Sequence, residues 1–197
     1  MMIPRYYEDL SILHDNTMPM RSYYIPASQK MNTLIEHRED SDRFQLLNGV
    51  WKFQYYKSVY DLKEAFYRTS FNTKDFDDIT VPGVWQIAGY DSPQYTNIRY
   101  PFHLIRLISR RIFPVEPTSE NLLTMKYRCA KIYLNFEGVD SCFFVWLNGK
   151  YTGYSQVPHA TAEFDVTEFL EEGENTIAVL VLNGAMAHIW KTRTNFA

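Results

Sequence analysis

Apolar and polar residues alternate most clearly over residues 48–57, NGVWKFQYYK, with Trp51, Phe53 and Tyr55 on one side and Val50, Lys52 and Gln54 on the other. A period of two predicts a half-buried strand whose aromatic side faces the core. Residues 61–78, DLKEAFYRTSFNTKDFDD, are polar and predict a loop or short helix. In residues 79–90, ITVPGVWQIAGY, Pro82 and Gly83 interrupt a short strand and leave Trp85 in irregular chain. Further on, KIYLNFEGV places Ile132, Leu134 and Phe136 on one face, whereas CFFVWL is apolar on both faces, as a central strand is. Asn148-Gly149 then predicts a two-residue hairpin turn, because a type I′ turn needs positive φ at both central positions. Its partner strand is KYTGYSQ. FDVTEFLEEGEN predicts a short helical turn with Asp165 as N-cap and Glu168 in capping-box position, after which Gly173 opens the apolar strand TIAVLVL. Short strands, frequent turns and almost no long helix predict an all-β, antiparallel β-sandwich.

At 197 residues the chain is long enough for one domain with one sizeable core. The net charge of −3 is spread among residues of both signs and forms no basic stripe, so nucleic acid and membrane surfaces are not expected partners. The opening MMIPRYYEDLSILHDN has no apolar targeting segment, and no run approaches the roughly 18 apolar residues of a membrane-spanning helix, which predicts a cytoplasmic location. Cys129 and Cys142 lack metal-ligand spacing and are expected to be reduced, with Cys142 in the core. Aromatic residues make up 16% of the chain, a content that serves either a sandwich core or stacking on sugar faces.

Glycoside hydrolysis requires two carboxyl groups facing each other across a sugar ring, which draws attention to Glu163 and Asp165 in AEFDV. At alternate positions of a strand, such residues are expected to be a solvated face, with Asp165 also serving as the N-cap. His159, beside a turn proline, has no Ser, Cys or carboxylate cluster near it in sequence and is expected to be a loop residue. No phosphate-binding glycine loop, zinc spacing or nucleophile elbow occurs. No catalytic residue and no metal ligand are assigned.

Three segments carry more than a fold class: LLNGVWKFQYY, VPGVWQIAGYDSPQYTNIRYPF, and NFEGVDSCFFVWLNGKYTGYSQ followed by AEFDVTEFLEEGENTIAVLVL. They resemble the N-terminal sugar-binding jelly-roll domain of the β-galactosidases of glycoside hydrolase family 2, and LHDNTMPMRSYYIPAS is similar to the lead-in of those enzymes. The resemblance implies a galactose-binding-domain-like jelly roll inside a larger enzyme that hydrolyses terminal non-reducing β-D-galactosides with retention. In such enzymes a (β/α)8 barrel further along the chain supplies both catalytic glutamates, about 5–5.5 Å apart. It implies that Asn97, in the YTN motif, is the residue that reaches the galactose site. Full-length members use magnesium and sodium, but no ligand for either ion is identifiable in this chain. An Asp in a later DGSYLEDQD motif would contribute to sugar and sodium binding, and that motif is absent.

Where the family continues after YPF with a Pro-rich passage, this chain has HLIRLISRRIFPVEPTSE. Back-translated with permitted codons and started at the third base, that stretch becomes Phe-Asp-Pro-Pro-Tyr-Ile-Pro, the expected passage. The tail NGAMAHIWKTRTNFA treated alike yields Asp-Gly-Ser-Tyr-Leu-Glu-Asp-Gln-Asp. Synonymous codon choice steers little beyond one base in three of the displaced frame. Residues 103–125 are therefore read as an out-of-frame insert and residues 183–197 as an out-of-frame tail, in which His188 and Trp190 are accidental. The insert is expected to lack strand alternation and to be mobile or poorly packed. This partition leaves residues 1–45 as a lead-in and 46–182 as the jelly roll. The expected function is that of a β-galactosidase sugar-binding domain, inactive without its barrel. The alternatives are a free-standing carbohydrate-binding module and a fragment that docks onto a barrel-containing chain.

Overall fold

A computed structural model describes residues 3–31, 37–62, 64–90, 105–115 and 131–183, the backbone alone at 105–115. Its strands are β1 (His14–Asp15), β2 (Gly49–Tyr56), β3 (Asp77–Val81), β4 (Ile105–Val115), β5 (Tyr133–Phe136), β6 (Cys142–Leu147), β7 (Lys150–Ser155), β8 (Ala162–Asp165) and β9 (Gly173–Asn183). Seven of them form one sheet in the order β1-β7-β6-β9-β4-β2-β3, and β5 pairs with β8 in a second. All the pairings are antiparallel. Among the described residues the helical elements are single 3-10 turns, and no helix is long and apolar enough to cross a membrane.

The strand β6 lies in the interior of the main sheet, between β7 and β9, because its six residues are apolar and all are buried. Phe143, Val145 and Leu147 join Ile177, Val179, Trp51 and Phe164 in the core between the two sheets. Cys142, Phe144 and Trp146 join Ala178, Leu180 and Leu182 on the opposite face, which is covered by irregular chain carrying Ile3, Tyr7, Val59 and Phe66. The protein is thus a sandwich with a third layer of coil. That layer contributes fully buried Tyr7 and Phe66, and burying one such apolar side chain stabilises the fold by roughly 1.5–3 kcal/mol. The hairpin turn forms as the residue types require, with Asn148 at φ 52° and Gly149 at φ 77°. A bulge follows, with Val145 opposite Gly153 and Trp146 opposite Tyr151. The extra residue, Thr152, turns Tyr151 and Tyr154 toward the same core.

One sequence expectation is corrected and another is borne out. Within residues 103–125, Ile105–Val115 does form a strand, paired along its length with β9 and over Arg106–Arg110 with β2. Its own side-chain pattern does not announce it; the backbone edge of β9 along its length and that of β2 over Arg106–Arg110 supply its ladder partners. Residues 166–170 form the expected single turn, held by bonds from the Phe169 and Leu170 amides to the Val166 carbonyl. Asp165 caps it, its Oδ1 accepting from the amide and hydroxyl of Thr167 at 3.2 and 2.6 Å.

Candidate functional site

Asn97, Cys129, His188 and Trp190 lie outside the described residues. The fold does fix where the stretch containing Asn97 is tethered. Strand β3 ends at Val81, and residues 82–90 run on to Tyr90, whose ring packs edge-on against Phe53 at 4.7 Å and lies 6.3 Å from that of Tyr55. Burial pushes the Tyr90 hydroxyl up, and its hydrogen bond to Asp77 adds to the shift. Gly89, at φ 91°, makes the reversal before this anchor. Trp85 sits half-buried in that irregular segment, as its sequence predicts. The chain is described again from Ile105, which lies opposite Asn183 in the ladder. The entry to β4 and the exit from β9 therefore stand side by side at one end of the main sheet, the end where Cys142 pairs with Leu182. In sequence the first adjoins the YTN stretch and the second adjoins the tail, from which the DGSYLEDQD motif of the family resemblance is absent.

The carboxylate pair is not a catalytic dyad. Asp165 is bound by Lys131 Nζ at 2.6 Å; burial raises its pKa, but the bonds from Lys131 and Thr167 together hold it below the ordinary carboxyl value. Glu163, expected on a solvated face, is instead buried and gripped by both Arg21 Nε, at 3.0 Å, and Arg21 Nη2. The reason is the lead-in, which crosses the outer face of β8: the Met18 amide donates to the Glu163 carbonyl at 2.8 Å, and the Arg21 guanidinium stacks 4.2 Å over Tyr24. A strand that would be half solvated as part of a bare two-layer sandwich thereby acquires a cover. The only sequence sign was the resemblance of LHDNTMPMRSYYIPAS to a family lead-in, which gave no contact. His159 is an exposed turn residue and Cys142 is buried, as expected.

Among the described residues, no group of three or more His, Cys, Asp or Glu side chains could hold a metal ion. Among the described residues, Glu163 and Asp165 are each taken up by a basic partner, Arg21 and Lys131.

The class of protein that the described residues define is an antiparallel β-sandwich. The model of the family described as glycosyl hydrolases family 2, sugar binding domain, matches residues 44–193, and the chain belongs to that family. It is 43% identical over 183 residues to a β-galactosidase of Actinobacillus pleuropneumoniae, covering 92% of this chain and 18% of that protein. It is 39% identical over 184 residues to a β-galactosidase of Staphylococcus xylosus, with the same 92% and 18% coverage. The chain thus spans less than a fifth of the length of these relatives. Among solved structures it is similar in fold to a Bacteroides uniformis β-glucuronidase, with TM-score 0.53 and 22% identity over 72% of this chain and 15% of that one. A Lactobacillus rhamnosus β-glucuronidase gives TM-score 0.52 and 21% identity over 71% and 21%.

Proposed function

We propose that this chain is the sugar-binding domain of a β-galactosidase, forming one wall of a site at which terminal non-reducing β-D-galactosides are hydrolysed. The observation that carries this reading is the 43% identity to a β-galactosidase across 92% of the chain. Asn97 is the residue assigned to the galactose, and both catalytic glutamates come from a (β/α)8 barrel that is not part of these 197 residues. In this reading the domain binds and orients, and contributes neither acid nor nucleophile.

The test mixes the purified chain with the Actinobacillus pleuropneumoniae enzyme lacking its matching region and follows hydrolysis of chromogenic β-galactosides and β-glucuronides. The expected result is galactoside hydrolysis that needs both parts and falls at least about tenfold with Asn97→Ala, the scale of one lost polar contact to the sugar. Saturable galactoside binding by the chain without restored hydrolysis would favour the free-standing module. Hydrolysis of the glucuronide alone would overturn the assignment.

A further inference from the structure

Asn148 and Gly149 hold the two central positions of the turn between β6 and β7. An asparagine followed by glycine is the pair in which the backbone most readily attacks the side-chain amide, because glycine places no side chain beside the reacting nitrogen. In that reaction the Gly149 nitrogen gives its proton to solvent and forms a bond to Asn148 Cγ. The Cγ–Nδ2 bond breaks, Nδ2 leaves as ammonia, and water opens the five-membered imide to aspartate or isoaspartate. Solvent water is the only reactant from outside the chain. For the bond to form, the side chain must turn its Cγ toward the Gly149 nitrogen.

The folded chain opposes that rotation. Asn148 Oδ1 accepts from the Thr176 amide at 2.8 Å, while Nδ2 donates to the Phe169 carbonyl at 3.0 Å and to Asn175 Oδ1 at 2.7 Å. Asn175 is itself fully buried and is held by Glu171 and Gly173. The Asn148 backbone amide also donates to the Thr176 carbonyl, at 2.8 Å. Backbone and side chain are thus clamped to β9, and turning the side chain breaks three bonds together.

We propose that Asn148 is a latent deamidation site, held unreactive by this clamp and modified when the hairpin opens, so that the product keeps the turn from closing as tightly again. A carboxylate has no proton to donate at neutral pH. The oxygen that replaces Nδ2 faces the Phe169 carbonyl and Asn175 Oδ1, two acceptors now within hydrogen-bond distance of it. A half-buried charge set against acceptors is costly. Isoaspartate does more damage, since it adds a methylene to the backbone of a two-residue turn that sets Leu147 opposite Lys150. Opening is reversible, whereas loss of ammonia is not. The modification therefore records that a chain has opened at this turn.

The whole chain is incubated in neutral buffer, folded or in unfolding urea, and the peptide containing Asn148 is followed by mass spectrometry. Asn48-Gly49 and Asn183-Gly184 repeat the dipeptide, so in urea all three are expected to react at comparable rates. In the folded chain Asn148 is expected to react at least about a hundredfold more slowly than in urea, because the population of the open form sets its rate. Asn175→Ala removes one acceptor of the clamp and should speed the folded-state reaction at least about fivefold, the scale of one lost bond. Arg21→Ala, which weakens the fold at β8 instead, should speed it less. Asn148→Asp, which carries the product charge, should unfold at lower urea than the parent. Equal rates at Asn148 in the folded and unfolded parent would overturn the proposal, a comparison that needs no variant. So would an Asn175→Ala rate no faster than that of Arg21→Ala, or an Asn148→Asp chain as stable as the parent.

Discussion

Replacing Asn175 with alanine is expected to loosen the turn that closes the second half of the sandwich. The side chain is fully buried. Its Nδ2 donates to the carbonyls of Glu171 and Gly173 at 2.8 and 2.9 Å, while its Oδ1 accepts from the Glu171 amide at 2.8 Å and from Asn148 Nδ2 at 2.7 Å. Asn148 in turn donates to the Phe169 carbonyl and accepts from the Thr176 amide, so one amide side chain ties the hairpin turn to the start of β9. Each such bond contributes about 0.5–1.5 kcal/mol net, and partners left without water cost more. Glu171 is exposed and can be rehydrated, which removes part of the penalty. The expected loss for Asn175→Ala is about 3 kcal/mol, a large part of a typical domain stability of about 5–15 kcal/mol. Urea unfolding followed by tryptophan fluorescence measures it, with Asn135→Ala on the exposed side of β5 as control, expected within about 0.5 kcal/mol of the parent. A loss below about 1 kcal/mol for Asn175→Ala, on the scale of a single bond, would show that the network is decorative and refute the reasoning.

Arg21→Ala leaves the Glu163 carboxylate buried without its partner; because Arg21 is 37% exposed, the expected cost is about 2 kcal/mol rather than the 3–5 of a fully buried pair. Glu163→Gln should cost less, and the reverse order in urea unfolding would contradict the latch. Gly153→Ala would set a Cβ 2.5 Å from the Phe164 ring and 2.6 Å from the Asp15 carbonyl, so thermal unfolding should fall by the equivalent of about 2–3 kcal/mol, with faster amide exchange in β1 and β7. Asp165 has a folded-state pKa below the ordinary 3.8, so on acidification the unfolded chain takes up its proton first; the stabilisation is present above that value and fades below it. Urea unfolding in a series from about pH 6 down to pH 3 should therefore show the advantage of the parent over Asp165→Asn shrinking toward the acid end, and a constant difference would rule this out.

The parts of the fold that were legible in the sequence are those whose residues carry their own signal. CFFVWL, Asn148-Gly149 and TIAVLVL declare a buried hairpin and its neighbour because apolar runs and a positive-φ pair have few other uses. Trp51 and Phe53 are buried and Val50 is 62% exposed, as their alternation requires. Three features arise from partners distant in sequence. The strand β4 depends on the edges of β2 and β9 rather than on its own arginine-rich pattern. The pairing of Glu163 depends on a lead-in residue 142 positions away. The third layer depends on Tyr7 and Phe66, each of which sits in a polar segment that gives no periodicity. The candidate sugar site was legible only through the family resemblance: a single Asn in a loop has no local pattern, and only the register of β4 on β9 shows where its segment is tethered.

The lead-in also bears on how the chain reaches its final state during synthesis. Asp15 accepts from the Tyr151 hydroxyl across 136 positions, and Gln156 donates to the Asp9 carbonyl across 147. A segment made first must therefore wait for β7 and β8, made much later, before its backbone and its arginine find partners. Closing such long loops is slow relative to forming local hairpins. The β6–β7 hairpin can form as soon as it emerges, whereas the part of its face that Ile3 and Tyr7 cover waits for the lead-in to return to it. During that interval Phe144, Trp146 and Tyr154 lack part of their cover, and the lead-in is fixed later than the hairpin it rests on.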